Sequence, residues 1–139
     1  MIDIDHFKQF NDNFGHDGGD AILRAFGAFF EKHVRGGDIA CRYGGEEFIL
    51  ILSPSTVEGA QLRAEKIRED AGLLSVSHAN RDLGAITLSL GVAIFPDHAS
   101  EAAAMVKAAD VALYQAKRGG RNRVVLFAEK AGQITLQRS

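Results

Sequence analysis

The sequence has a single cysteine, no excess of either charge and no long apolar run, and each shortage removes a class of protein. Cys41 stands alone, so no intrachain disulfide can form and a reducing compartment suits the chain. It reads as a small buried side chain on a strand. A formal charge of −2 leaves no broadly basic face for nucleic acid. Any phosphate-bearing partner must therefore be met by a few local cations or a bound metal. No apolar stretch approaches the ~20 residues that span a bilayer. The opening Met1-Ile2-Asp3-Ile4-Asp5 has neither the basic region nor the apolar core of a signal peptide. The expectation is a cytoplasmic domain with no nucleic-acid partner and no membrane contact of its own, compatible with a parent protein anchored through other segments. What is present is ordinary for a globular chain: 139 residues, 46% hydrophobic and 24% charged, enough for one core without a structural metal.

Hydrophobic patterning divides the chain into alternating elements. Met1–Ile4 reads as the end of a strand, and Asp5 as a cap for a short helix over residues 6–13 that stops at Gly15. A second helix is predicted from Asp20 to Val34, with Ile22, Phe26, Phe29 and Phe30 as its apolar stripe and Gly36-Gly37 beyond its end. Asp38–Tyr43 and Glu46–Leu52 flank Gly44-Gly45 as a tight hairpin. Ile49-Leu50-Ile51-Leu52 predicts a strand covered on both faces. Ser55-x-x-Glu58 is a capping box opening a helix to Leu74, and Ser75–Leu83 reads as irregular. Residues 86–94 alternate as a strand that ends at Pro96. Ala102, Val106, Ala109, Leu113 and Ala116 stripe an Ala-rich helix closed by Lys117-Arg118-Gly119-Gly120, with Tyr114 packed on it. Arg123–Phe127 is a final short strand, and 131–139 a tail after a single domain over 1–130. The order β-α-α-β-β-α-β-α-β predicts an α/β (α+β) sandwich on a ferredoxin-like β-α-β-β-α-β core, with an extra helix and a terminal strand. Its first strand should be central yet looks truncated, which suggests missing upstream residues.

Two stretches concentrate chemistry. In Arg42-Tyr43-Gly44-Gly45-Glu46-Glu47-Phe48, glycines let backbone approach a ligand and two carboxylates follow at once; a plain surface hairpin is the alternative. In Asp3-Ile4-Asp5-His6-Phe7-Lys8, Asp3 and Asp5 share a metal, or Asp3 alone faces the site while Asp5 caps the helix. Oxygen donors without a His-Cys cluster point to Mg²⁺ or Mn²⁺. His33, His78 and His98 lack ligand spacing.

The run Asp3-x-Asp5-x-Phe7-Lys8-x-x-Asn11-Asp12-x-x-Gly15-His16-x-x-Gly19-Asp20, followed by Arg42–Phe48, resembles the GGDEF-domain diguanylate cyclases, in the GGEEF form. Leu90-Gly91-Val92-Ala93 and the stretch from Ala109-Asp110 to Gly120-Arg121-Asn122 match the same pattern, so the resemblance covers about residues 1–127. It implies a nucleotidyl-cyclase-like fold and the condensation of two GTP to cyclic di-GMP by a two-fold homodimer. It further implies metal binding by Asp3, the Ile4 carbonyl and Glu46, with Glu46 as general base and Lys8 stabilising the transition state. Asn11 and Asp20 would read guanine with His16 close by, although His16 could simply pack in its turn. The backbone at His6 and Phe7, with Lys117 and Arg121, would hold phosphates beside Gly44 and Gly45. Arg35 and Asp38 fit the family's RxxD site for inhibitory cyclic di-GMP; without the family they are an ordinary loop pair. An upstream sensor or regulatory domain is the expected partner. The alternative function is a non-catalytic GGDEF module that binds GTP or cyclic di-GMP.

Overall fold

The computed structural model describes residues 1–53 and 56–129. In chain order the elements are β1 (Ile2–Ile4), α1 (Phe7–His33), β2 (Ile39–Gly44), β3 (Glu47–Ile51) and α2 (Val57–Gly72). A small hairpin of β4 (Ser77–His78) and β5 (Arg81–Asp82) follows, then β6 (Leu88–Val92), α3 (Ala102–Arg118) and β7 (Arg123–Leu126). Five strands form one mixed sheet in the order β2-β3-β1-β6-β7. All its pairings are antiparallel except β6 with β7. The opening strand is therefore central, as the element order predicted.

Register decides which side chains meet which helix. Ile2 lies opposite Phe48 on one side and Leu90 on the other, so the even positions of β1 share a face with both residues. That face receives α1 and α2. Ile22, Phe26, Phe29 and Phe30 of α1 form one buried cluster with Ala64, Ile67 and Ala71 of α2 and with Ile2, Ile4, Phe48 and Leu90. The Phe30 and Phe48 rings lie 4.9 Å apart. The opposite face takes α3, which reaches β6 because Gly91 has no side chain. A Cβ there would strike the Ala109 carbonyl and the backbone of Leu113. The buried face of α3 is Ala108, Ala112, Leu113 and Ala116.

Several local expectations change. Gly15 (φ 74°) breaks the first helix as expected, but helical structure resumes directly after it and runs to His33. Gly44 pairs with Glu47, so the hairpin loop is Gly45-Glu46, with a bulge between Arg42 and Gly44. β3 is interior yet covered on one face only. Phe48 is buried whereas Ile51 is 55% exposed, because α3 lies toward the β6–β7 side of the sheet. Cys41, on the edge strand of that same open region, is exposed rather than buried. Tyr114 points outward, with the Arg118 guanidinium 5.9 Å from its ring centre. The stretch expected to be irregular holds the β4–β5 hairpin, turned by Ala79 and Asn80 with φ of 51° and 61°. α2 is capped by Thr56, whose side chain accepts from the Gly59 amide at 3.0 Å; the Ser55 of the expected capping box lies outside the described residues, as does the tail 131–139.

Candidate active site

β1 delivers Asp3 to the α3 face of the sheet. Its Cα partners are Glu47 and Ser89, and the Ile4 amide donates to the Glu46 carbonyl at 3.2 Å. The acidic hairpin turn is thus stitched to the strand that carries Asp3. From the other side, the Lys117 ammonium reaches down from α3 to within 2.6 Å of Asp3 Oδ2. Asp3 is 4% exposed. Burial pushes its carboxyl up to about 6; the bond to Lys117 opposes the rise, and the nearby Glu46 and Glu47 add to it. Near neutral pH Asp3 is ionised and pairs with a cation.

Whether these donors suit a divalent ion turns on number and hardness. Among the described residues, no group of three or more His, Cys, Asp or Glu side chains forms a ready cage. Mg²⁺ does not need one, since it commonly takes one or two carboxylates and fills its shell with water and substrate phosphate. A buried carboxylate, an adjacent acidic turn and an ammonium already drawn to the cation position fit such an ion.

Around Asp3 the remaining candidates fall into groups. His6 begins α1 in a left-handed conformation (φ 57°), and neither a capping side chain nor an acidic first turn satisfies its N-terminal amides. An uncapped helix start presents N–H groups to an anion. His6 and Lys8 are exposed there, with Phe7 half-buried. Asn11 packs against Gly19, the neighbour of Asp20: a Cβ there would collide with Asn11 Oδ1 and sit 3.2 Å from the Phe7 ring. The kink at Gly15 folds the helix so that this approach is possible. His16 and Asp20 are exposed beside it. Gly44 and Gly45 have open space at their Cα atoms, and Gly45 has a φ of 53°. Arg42 Nε donates to the Gly45 carbonyl at 2.9 Å and braces the turn. Arg121, also left-handed at φ 64°, follows α3 with an exposed side chain.

Arg35 and Asp38 lie apart from this cluster, in the loop between α1 and β2. Asp38 has no exposed side-chain surface and accepts four hydrogen bonds: from Ser53 N and Oγ at 2.7 and 2.8 Å, Arg35 N at 2.8 Å and Arg63 Nη2 at 2.8 Å. The Arg35 side chain is exposed.

Asp5 does not cap α1. Its carboxylate accepts from Thr87 Oγ1, Ser89 Oγ and the Asn122 amide, while the N-cap position falls on His6. Sequence reasoning also missed Arg63, Arg68, Ser89 and Asn122. The alternation Thr87-x-Ser89 hinted at a polar stripe, but the partner of that stripe depends on register.

A mixed five-stranded sheet with a buried carboxylate on its central strand, next to a Gly-Gly-Glu-Glu hairpin, defines a recognisable class of α+β domain. The family model described as "Diguanylate cyclase, GGDEF domain" matches residues 1–123. The chain belongs to the GGDEF family. It is 42% identical over 127 residues to the response regulator PleD of Caulobacter vibrioides, covering 90% of this chain and 28% of PleD. Among solved structures, the GGDEF domain of DgcB from Caulobacter crescentus, in complex with c-di-GMP, superposes with a TM-score of 0.81 at 39% identity, covering 90% of this chain and 74% of that one. The active GGEEF domain of a diguanylate cyclase from Vibrio cholerae gives 0.78 at 38% identity, over 93% and 81%. The chain thus spans under a third of PleD's own length. Among the described residues no helix is long and apolar enough to cross a membrane.

Proposed function

We propose that this chain is a catalytic diguanylate cyclase domain that condenses two GTP into cyclic di-GMP and releases two pyrophosphates. The observation that carries the reading is the buried Asp3 carboxylate, set beside the Gly45-Glu46 turn and drawing the Lys117 ammonium to 2.6 Å. Asp3, Glu46 and the Ile4 carbonyl would hold Mg²⁺ or Mn²⁺, which would supply Lewis-acid polarisation of the phosphates.

The side chains around it suit the rest of the reaction. A ribose 3′-hydroxyl attacks the α-phosphorus of a second GTP; the hydroxyl proton passes to Glu46 and pyrophosphate leaves. Lys8, Lys117, Arg121 and the free amides at His6 and Phe7 offset the charge that grows on the phosphoryl oxygens. Asn11 and Asp20 suit guanine, whose edge presents an acceptor beside two donors, and His16 would lie close to the nucleotide. Gly44 and Gly45 leave room for the nucleotide to approach the backbone. Each domain holds one GTP, so ring closure calls for a two-fold dimer in which each hydroxyl meets the partner's phosphorus. Cyclic di-GMP would also bind at the loop of Arg35 and Asp38 and inhibit. An upstream sensor domain in a cytoplasmic setting would control pairing; the modest share of PleD that this chain spans is compatible with such a partner.

Glu46→Gln is the direct test. With Mn²⁺ present it should abolish cyclic di-GMP formation, read by chromatography, and still bind GTP. Retained turnover removes Glu46 from its role. A folded, dimeric wild-type sample that makes no product leaves the regulatory, non-catalytic reading instead.

A further inference from the structure

Asp5 is 3% exposed and lies one residue beyond β1, yet the chemistry above does not use it. Three donors converge on its carboxylate. Ser89 Oγ donates to Oδ1 at 2.6 Å; Thr87 Oγ1 at 2.7 Å and the Asn122 amide at 3.0 Å donate to Oδ2. The first two come from the β6 region beside it in the sheet. The third comes from the turn between α3 and β7, 117 residues away in sequence.

In that turn Arg121 and Asn122 are consecutive left-handed residues, with φ of 64° and 46°. A left-handed residue other than glycine, such as Arg121, carries a backbone cost that its contacts offset. The Arg121 amide donates to the Ala116 carbonyl at 3.0 Å, the Arg121 carbonyl accepts from Arg123 Nε at 3.1 Å, and Arg68 Nη1 holds Asn122 Oδ1 at 2.9 Å. These contacts tie the turn to its own neighbours and to α2. Asp5 ties it to the junction of β1 and α1, which carries Asp3, His6, Phe7 and Lys8.

We propose that Asp5 is a positioning residue that holds the Arg121-Asn122 turn left-handed and so aims Arg121 at the phosphates of a nucleotide bound beside Asp3. The inference rests on the reading of Arg121 as a phosphate ligand. Two of the three donors on Asp5 are hydroxyls that can rotate, whereas the Asn122 N–H is fixed in direction. Asp5→Asn keeps an acceptor for that N–H: its amide oxygen takes the Oδ2 position and its NH2 faces Ser89, whose hydroxyl turns to accept. Asp5→Ala removes every acceptor and leaves the Asn122 N–H without its partner.

The test measures binding to the full chain of a GTP analogue with a methylene between the α- and β-phosphorus, and of guanosine by competition. Asp5→Ala should weaken the triphosphate about tenfold, the scale of a lost buried hydrogen bond, and leave guanosine within about twofold, whereas Asp5→Asn should bind both near the wild-type level. Arg121→Ala should act like Asp5→Ala, and the double variant should be no weaker than either single one. Asp5→Ser, too short to reach the Asn122 amide, makes the same point if Asp5→Ala fails to fold. Normal triphosphate binding by Asp5→Ala or Asp5→Ser, with Arg121→Ala impaired, overturns the proposal, as does a loss in Asp5→Asn as large as that in Asp5→Ala. So do fully additive losses, or equal losses of guanosine and triphosphate. Normal binding by Arg121→Ala refutes the phosphate reading itself, and the proposal with it.

Discussion

Asp38 carries four hydrogen bonds on one carboxylate, and they hold it well below the usual range. The Arg63 guanidinium contributes most, followed by the amides of Arg35 and Ser53 and the Ser53 hydroxyl. Asp70 is depressed likewise, by Lys66 first and then by His33, whose ring also lies 2.8 Å from the Phe29 carbonyl. Both groups have folded-state pKa values below the unfolded value of about 4, so the unfolded chain binds protons first as pH falls. Their stabilisation is complete above that value and is lost as pH drops through the folded one. Asp38→Asn should lower the melting temperature at pH 7 and shrink the further loss between pH 7 and pH 3. Parallel losses in variant and wild type would show that this carboxylate does not drive acid unfolding. These bonds also stake the 34–38 loop to the segment just after β3 and to α2, which leaves the exposed Arg35 side chain as the free member of the pair.

At the scale of elements, the close seat of α3 on β6 sets where Lys117 and Arg121 arrive. Gly91 is the contact point, and the space for its absent side chain is taken by the α3 backbone at Ala109 and Leu113. Backbone cannot swing aside as a side chain can, so Gly91→Ala must lift the helix or bend the strand. Overpacking of this kind costs about 1–3 kcal/mol. The same shift draws Lys117 away from Asp3, so GTP affinity should fall along with the denaturation midpoint. A variant that loses stability but binds GTP normally would separate the helix seat from the site. Across the sheet, the Phe26, Phe29 and Phe30 stripe was legible because helical spacing alone puts those residues on one face. The extent of cover over β3 was not, because it depends on where α3 lands.

For the molecule as a whole, one face of the sheet is closed by two helices and the other only partly, by α3. Asp3, Glu46 and Glu47 lie toward the partly covered side, where a second copy could present its nucleotide. If two domains must meet to close the product ring, specific activity should fall on dilution at saturating GTP. Activity per chain that stays constant well below the dimer dissociation constant, measured by sedimentation, would exclude the two-domain reaction.

Most of the element order, apart from the single kinked α1 and the β4–β5 hairpin, together with the central first strand, the aromatic core and the family's acidic turn, followed from the sequence by itself, because helix and strand periodicity and short motifs are local. The roles of Asp5 and Asp38 did not. A carboxylate is defined by the donors that reach it, and here those donors come from as far as 117 residues away. Likewise Cys41 and Tyr114 lie on patterns that suggested burial, yet both face outward, since cover is supplied by distant elements. Local chemistry named the parts, and only register and packing decided which of them touch.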